Sequence, residues 1–293
     1  MSGCVTALVT PFRAGRLDVP GLRRNVRCQL AGGVSGLLAA GSTGESAALS
    51  EAEFDRVVGT VVREAEGRVP VMVGVGTNST AKSLERLHRA RALGADSLLA
   101  VAPYYVKPTQ EGLYLHFRAL AEAAGLPLVV YNIPGRSAVN VLPATVERLA
   151  RDCPNVVAVK EASGSVDQAT EIVARCGDRL AVLSGDDSLT LPIMAAGGRG
   201  VISVTSNVVP AEVSRMVAAF LAGNPAEATG LHLHLFPLTK ALFVETNPIP
   251  VKAALEMLGM AAGEPRLPLT PLSAAGREVV RTALRRHGLL KVR

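Results

Sequence analysis

The run Val156-Val157-Ala158-Val159-Lys160 decides how this chain folds. Every position before the lysine is apolar, with none of the alternation a strand shows when one face meets water, so the run reads as a strand covered on both faces. Strands of that kind belong to parallel sheets, where crossover helices cover the two sides. Seven further runs of the same character, at residues 4–10, 36–40, 71–75, 98–102, 128–131, 180–184 and 200–204, are bounded by Gly, Pro, Asn or Asp. The gaps between them carry helical periodicity. Val19, Leu22, Val26 and Leu30 share a face before Gly32-Gly33, and Phe54, Val57, Val58, Val61 and Val62 follow a capping box of Ser50 and Glu53. Leu84, Leu87 and Leu93 precede Gly94, and Val166, Ala169, Ile172 and Val173 precede Gly177.

Eight strand-helix units in residues 1–225 match an α/β (β/α)8 TIM barrel, expected as the catalytic domain. A doubly wound open sheet is disfavoured. No G-x-G-x-x-G fingerprint follows the first strand and no G-x-x-x-x-G-K-[ST] loop exists, so a nucleotide would have no phosphate cradle. Beyond residue 225 the strand signal stops. Helical segments at 226–236, 239–258 and 271–287 predict a C-terminal helical extension over 226–293.

The 293 residues are 48% hydrophobic and 19% charged, which excludes a disordered chain. Four Tyr, six Phe and no Trp make the core aliphatic. The net charge of +6 concentrates in the last 17 residues, where Arg277, Arg281, Arg285, Arg286, Lys291 and Arg293 face Glu278 alone. That reads as a solvated helical face, so neither nucleic acid nor membrane is expected as a partner. Cys4, Cys28, Cys153 and Cys176 form no C-x-x-C pair, which favours reduced thiols over disulfides or zinc. The N-terminus lacks a basic n-region and a long apolar stretch, and no apolar run reaches the roughly 18 residues of a spanning helix, so a cytoplasmic location is expected.

In a barrel the chemistry gathers where strands end, so the residues closing each run are the candidates. Of six lysines, five lie in polar contexts, Lys82, Lys240 and Lys252 in helical stretches, Lys107 in a loop and Lys291 in the tail; only Lys160 terminates an apolar strand. Burial there disfavours the ammonium and supplies the neutral amine that Schiff-base chemistry needs. The alternative is a strand-end lysine paired with Glu161. Tyr131 closes the fifth run, one strand away, where a phenol can relay protons. Arg136, on the following Pro134-Gly135 turn, offers a planar fork suited to a carboxylate. Each is also readable as an ordinary core Tyr or surface Arg. Gly41-Ser42-Thr43-Gly44-Glu45 combines backbone N–H groups and hydroxyls able to hold a small carboxylate, or is a plain βα turn. Tyr104 and Tyr105 end the fourth run and point in different directions. Asp186-Asp187 closes the seventh as an acid/base pair or a helix cap. His232 and His234 do not share a helical face and find no third ligand nearby in the sequence, so no metal is expected.

These motifs together resemble the class I pyruvate-dependent aldolases of the dihydrodipicolinate synthase / N-acetylneuraminate lyase family. The likeness runs from Val5-Thr6-Ala7-Leu8-Val9-Thr10-Pro11-Phe12 through Gly41–Glu45, Pro103-Tyr104-Tyr105, Tyr131–Arg136, Val159-Lys160-Glu161-Ala162, Leu183–Asp187 and Gly200–Ser203 to Asn247-Pro248-Ile249-Pro250. The resemblance implies that Lys160 forms an imine with pyruvate and needs no cofactor. The derived enamine would attack the aldehyde of aspartate 4-semialdehyde, the first committed step of the diaminopimelate and lysine pathway. Tyr131 would relay protons with Ser42 and with Tyr105, the last reaching in from an adjacent subunit of a homo-oligomer, a dimer of dimers. Thr43 would hold the pyruvate carboxylate, Arg136 that of the semialdehyde, with Gly185 and Ile202 lining the substrate site.

Two departures from the family pattern stand out. Synthases of the family usually carry Thr where this chain has Ser42, which keeps the hydroxyl without the methyl that stiffens χ1. This leaves room for a different aldehyde partner, as in N-acetylneuraminate lyase or a 2-keto-3-deoxy sugar acid aldolase, although Arg136 favours a small anion. Lysine-inhibited members bind lysine with a His and a Glu where this chain has Phe54 and Lys82, while Asn78 and Tyr104 remain. Weak or absent lysine feedback is therefore expected.

Overall fold

A computed structural model describes residues 1–291; Val292 and Arg293, part of the basic tail, lie outside the described residues. Eight parallel strands close into a barrel: β1 Gly3–Ala7, β2 Gly36–Ala39, β3 Val71–Gly74, β4 Ser97–Val101, β5 Leu128–Asn132, β6 Val156–Glu161, β7 Ala181–Ser184 and β8 Gly200–Ser203. Each pairs with its sequence neighbours, and β8 closes on β1 through Gly3↔Gly200 and Val5↔Ile202. Closure at that seam needs glycine. A Cβ on Gly200 would sit 2.0 Å from the Gly3 carbonyl oxygen.

The strands lack polar alternation because both faces are covered. Inward, Val5, Leu38, Met72, Leu99, Val129 and Ile202 fill the barrel with Tyr131 as the only aromatic ring of that cluster. Outward, a second and larger buried layer packs against the helices. Eight of those follow the strands in turn: α1 Val19–Ala31, α2 Glu51–Ala65, α3 Thr80–Ala92, α4 Gln110–Ala124, α5 Pro143–Asp152, α6 Val166–Cys176, α7 Thr190–Ala195 and α8 Pro210–Leu221. Their starts are set locally. Ser50 and Glu53 form the reciprocal capping box of α2, and Ser79, Thr109 and Ser165 cap α3, α4 and α6 through their hydroxyls.

After the barrel come α9 Pro225–Ala241, α10 Ile249–Met257 and α11 Ala274–Arg286. Leu231, Leu235, Val280 and Leu284 of these helices join the same buried layer as the barrel's outer face. One expectation is corrected here. The apolar periodicity of residues 239–258 suggests a single helix, but α9 ends at Ala241 and α10 starts only at Ile249. The intervening segment, with Pro248 as the N-cap of α10, crosses the barrel mouth. Among the described residues no helix is long and apolar enough to cross a membrane.

Candidate active site

Lys160 and Tyr131 are register partners on adjacent strands, and both side chains enter the C-terminal end of the barrel. Each is only 5% exposed. The Lys160 nitrogen stands 4.3 Å from the centroid of the Tyr131 ring. Burial pushes the Lys160 ammonium down to about 7; a buried Asp187 carboxylate opposes this and the Arg136 guanidinium reinforces it. The Tyr131 phenol moves the other way, up to about 12, again through burial, with Arg136 and the Ser42 hydroxyl pulling it back. An amine that sheds its proton near neutrality thus faces a phenol that keeps its own.

The pairing of Lys160 with Glu161, open in the sequence, is not formed. Neighbouring strand residues point to opposite sides, and the Glu161 carboxylate accepts from Asn132 Nδ2 at 3.0 Å, Ser163 N at 2.7 Å and Gln168 Nε2 at 3.1 Å. Asn132↔Glu161 is the register pair directly after Tyr131↔Lys160. This bond therefore ties the ends of the two strands that carry Lys160 and Tyr131. Of the Asp186-Asp187 pair, Asp186 is the cap, its carboxylate accepting from Ser188 N at 2.9 Å at the start of a 3-10 turn over Asp187–Leu189, whereas the buried Asp187 carboxylate accepts from Ser203 Oγ at 2.5 Å and Val204 N at 2.8 Å, fixing the end of β8.

Gly185 follows β7 and donates its N–H to the Glu161 carbonyl at 2.7 Å. A Cβ there would lie 3.1 Å from both Cγ and Cε of Lys160 and 2.7 Å from Ala162 Cβ, so only glycine leaves the lysine its path. Ile202 is fully buried in the barrel interior. In the loop after β2, Ser42 lines the mouth and Thr43 is buried. Among the described residues, no group of the chain accepts from the main-chain N–H of Ser42 or Thr43. A small anion would meet both.

Above these lies a cavity of about 330 Å³ bounded by Ser42, Tyr104, Arg136, Asn247 and Arg266. Asn247 is the residue that sequence reasoning missed: its Nδ2 donates to Thr43 Oγ1 at 3.0 Å and its carbonyl accepts from Arg136 at 2.9 Å. It thereby joins the two proposed carboxylate binders, and its own Oδ1 is buried without a partner. Only its place beside Pro248 marked it in the sequence. Tyr105 is not brought to the site within this chain. It stands 85% exposed on the loop after β4, held at φ +74°. Left-handed backbone at a non-glycine residue costs about 1–3 kcal/mol. Ala40, Glu45, Lys107 and Ala138 share that conformation, also in loops that follow barrel strands.

Lys252 corrects a second expectation. Far from a polar helical surface, it is 1% exposed. Its ammonium bonds Glu45 Oε1 at 2.5 Å and the Thr10 carbonyl at 3.1 Å. Burial lowers its pKa against the pull of Glu45. Of the two buried lysines, Lys252 is bound in an ion pair, whereas among the described residues no carboxylate pairs with Lys160. Phe54 is fully buried beneath Arg86, while Lys82 and Asn78 are exposed.

The chain matches the model of the dihydrodipicolinate synthetase family over residues 1–287. It is 50% identical over 288 residues to the 4-hydroxy-tetrahydrodipicolinate synthase of Citrifermentans bemidjiense, covering 98% of this chain and 99% of that one. Among solved structures, the dihydrodipicolinate synthase of Thermotoga maritima superposes with a TM-score of 0.97 at 47% identity, over 99% of both chains. Another, described as the first monomeric dihydrodipicolinate synthase variant, gives a TM-score of 0.97 at 47% identity over 99% of this chain and 98% of that one.

Proposed function

The chain belongs to the dihydrodipicolinate synthetase family, and from that premise we propose that it acts as a 4-hydroxy-tetrahydrodipicolinate synthase, with Lys160 as the nucleophile. The observation that carries this reading is Lys160 itself: a buried amine without a carboxylate partner among the described residues, held near neutrality in its titration, against Tyr131.

The neutral amine adds to the ketone carbon of pyruvate and water leaves, giving an imine with no cofactor. Loss of a methyl proton gives the enamine. Its carbon attacks the aldehyde of aspartate 4-semialdehyde, forming the new carbon–carbon bond. The substrate's amine then attacks the imine carbon and displaces Lys160, which closes the ring and frees the enzyme. Tyr131, protonated over the whole physiological range, donates and recovers the proton at the leaving oxygen, with the Ser42 hydroxyl beside it. The free N–H groups of Ser42 and Thr43 take the pyruvate carboxylate. Arg136, with one nitrogen anchored on Asn247, turns its remaining donors to the carboxylate of the semialdehyde.

Tyr105, exposed and held in a strained conformation, completes the hydroxyl relay of a second copy, which makes the working form a homo-oligomer. A coupled assay tests the aldehyde partner. Turnover with aspartate 4-semialdehyde and none with N-acetylmannosamine is expected; the reverse preference would move the chain to the lyase branch.

A further inference from the structure

His232 and His234 leave α9 in different directions. His232 lines a narrow cleft with Asp187, Met216 and Phe236. His234 meets Glu212 and His287, and one ligand-type atom from each of the three lies within 4.8 Å of the others. Glu212 belongs to the last barrel helix, α8; His234 to the first helix after it; His287 to the C-cap of α11. The H-x-H pair finds no third ligand along the sequence. The fold brings two from elsewhere and leaves His232 out.

One carboxylate oxygen is the common point. Glu212 Oε2 lies 3.0 Å from His287 Nε2 and 3.4 Å from His234 Nε2. Around a tetrahedral zinc with bonds of 2.0–2.1 Å, neighbouring ligand atoms stand about 3.3–3.4 Å apart. Both carboxylate–imidazole spacings therefore match that edge to within a few tenths of an ångström, and the two imidazole ligand atoms lie within 4.8 Å of each other. The two imidazoles lie against each other, centroids 4.3 Å apart and planes 35° from parallel, and both Nε2 atoms approach the same carboxylate oxygen. The His287 side chain is 4% exposed and that of His234 54%, so protein walls one side and a water from the other would complete the tetrahedron. Two imidazoles and one carboxylate suit a borderline divalent ion of the first transition row, not Mg²⁺ or Ca²⁺, which take oxygen shells.

We propose that Glu212, His234 and His287 form a Zn²⁺ site that clasps α9 and the end of α11 to barrel helix α8. Its role is structural, since none of the three lines the catalytic cavity.

Competition of the metal-stripped full chain with a chromophoric chelator for ZnCl2 tests this. One Zn²⁺ per chain at micromolar or tighter affinity is expected, at least tenfold weaker in His234→Ala and in His287→Gln. ZnCl2, and not MgCl2, should raise the thermal midpoint of the parent chain and leave that of His234→Ala unmoved. His234 is half exposed, so its replacement preserves the fold, and borohydride trapping of pyruvate in each variant verifies an intact barrel. No binding at micromolar zinc, or binding that survives both substitutions and instead blocks thiol titration, would overturn the proposal.

Discussion

Lys160 and Tyr131 are held 4.3 Å apart, nitrogen to ring centroid, by the register of two adjacent strands. The ring face favours an ammonium and burial disfavours it. With Lys160 lowered to about 7, burial wins. The same burial keeps Tyr131 protonated up to about 12. Between those two values the amine is a nucleophile and the phenol a proton donor. The rate of imine formation, followed by borohydride trapping at saturating reductant, should rise about tenfold per pH unit below 7 and level off above it. A profile still rising at pH 9–10 would mean an ordinary lysine.

The buried amine has a cost in stability, and its sign can be worked out. The folded group titrates near 7 and the unfolded one near 10.5. Between those values the unfolded chain binds more protons, so stability rises with pH across the window; below about 7 both states are protonated and the whole penalty remains. Lys160→Met should therefore be inactive and more stable, by about 1–4 kcal/mol at pH 7. Urea denaturation should show this gain shrinking towards pH 10. A destabilised variant would contradict the account.

On the proposed roles, Arg136 and Asn247 should bear differently on the two substrates. Arg136→Ala should raise KM for the semialdehyde at least tenfold with little change for pyruvate, because its guanidinium lines the cavity from its anchor on the Asn247 carbonyl while the Ser42 and Thr43 N–H groups stay in place for the pyruvate carboxylate. Asn247→Ala loosens Thr43 and Arg136 together, so both KM values should rise. Steady-state kinetics with each substrate varied in turn decides it; equal effects of the two substitutions on pyruvate would contradict it.

Much of this was legible from the sequence, and the failures share a cause. The eight strands were readable because their two covered faces make them continuous apolar runs, and Lys160 because it closes one of them. Lys252 was not, since helical periodicity says nothing of a carboxylate 207 residues away that draws the ammonium into the interior. The break between Ala241 and Ile249 was hidden because Leu242 and Phe243 continue the apolar pattern. Asn247 stands in the Asn247-Pro248-Ile249-Pro250 motif, but nothing local to that motif tells what its side chain holds. Its partners, Thr43 and Arg136, come from two different loops.

The Glu45–Lys252 pair joins the loop after β2 to α10. Removing one partner strands a buried charge, so Lys252→Met should cost about 3–5 kcal/mol. Combined with Glu45→Gln, the loss should fall short of the sum by at least about 1 kcal/mol in a double-mutant cycle by urea denaturation. Strict additivity would show that the pair is not coupled.

L-Lysine should leave the rate nearly unchanged at millimolar concentration. Phe54 is fully buried and offers a ligand no donor or acceptor, and Lys82 puts positive charge at the position where, by the resemblance, lysine-inhibited members carry a Glu. Strong inhibition of the coupled assay by 1 mM lysine would contradict this reading.

Covalent capture of pyruvate reports directly on Lys160 as the nucleophile. The chain is incubated with pyruvate, reduced with borohydride, digested and its peptides weighed. A single reduced pyruvate adduct is expected, located on Lys160 and absent from Lys160→Met. No adduct, or one on another lysine such as Lys252, would contradict that role.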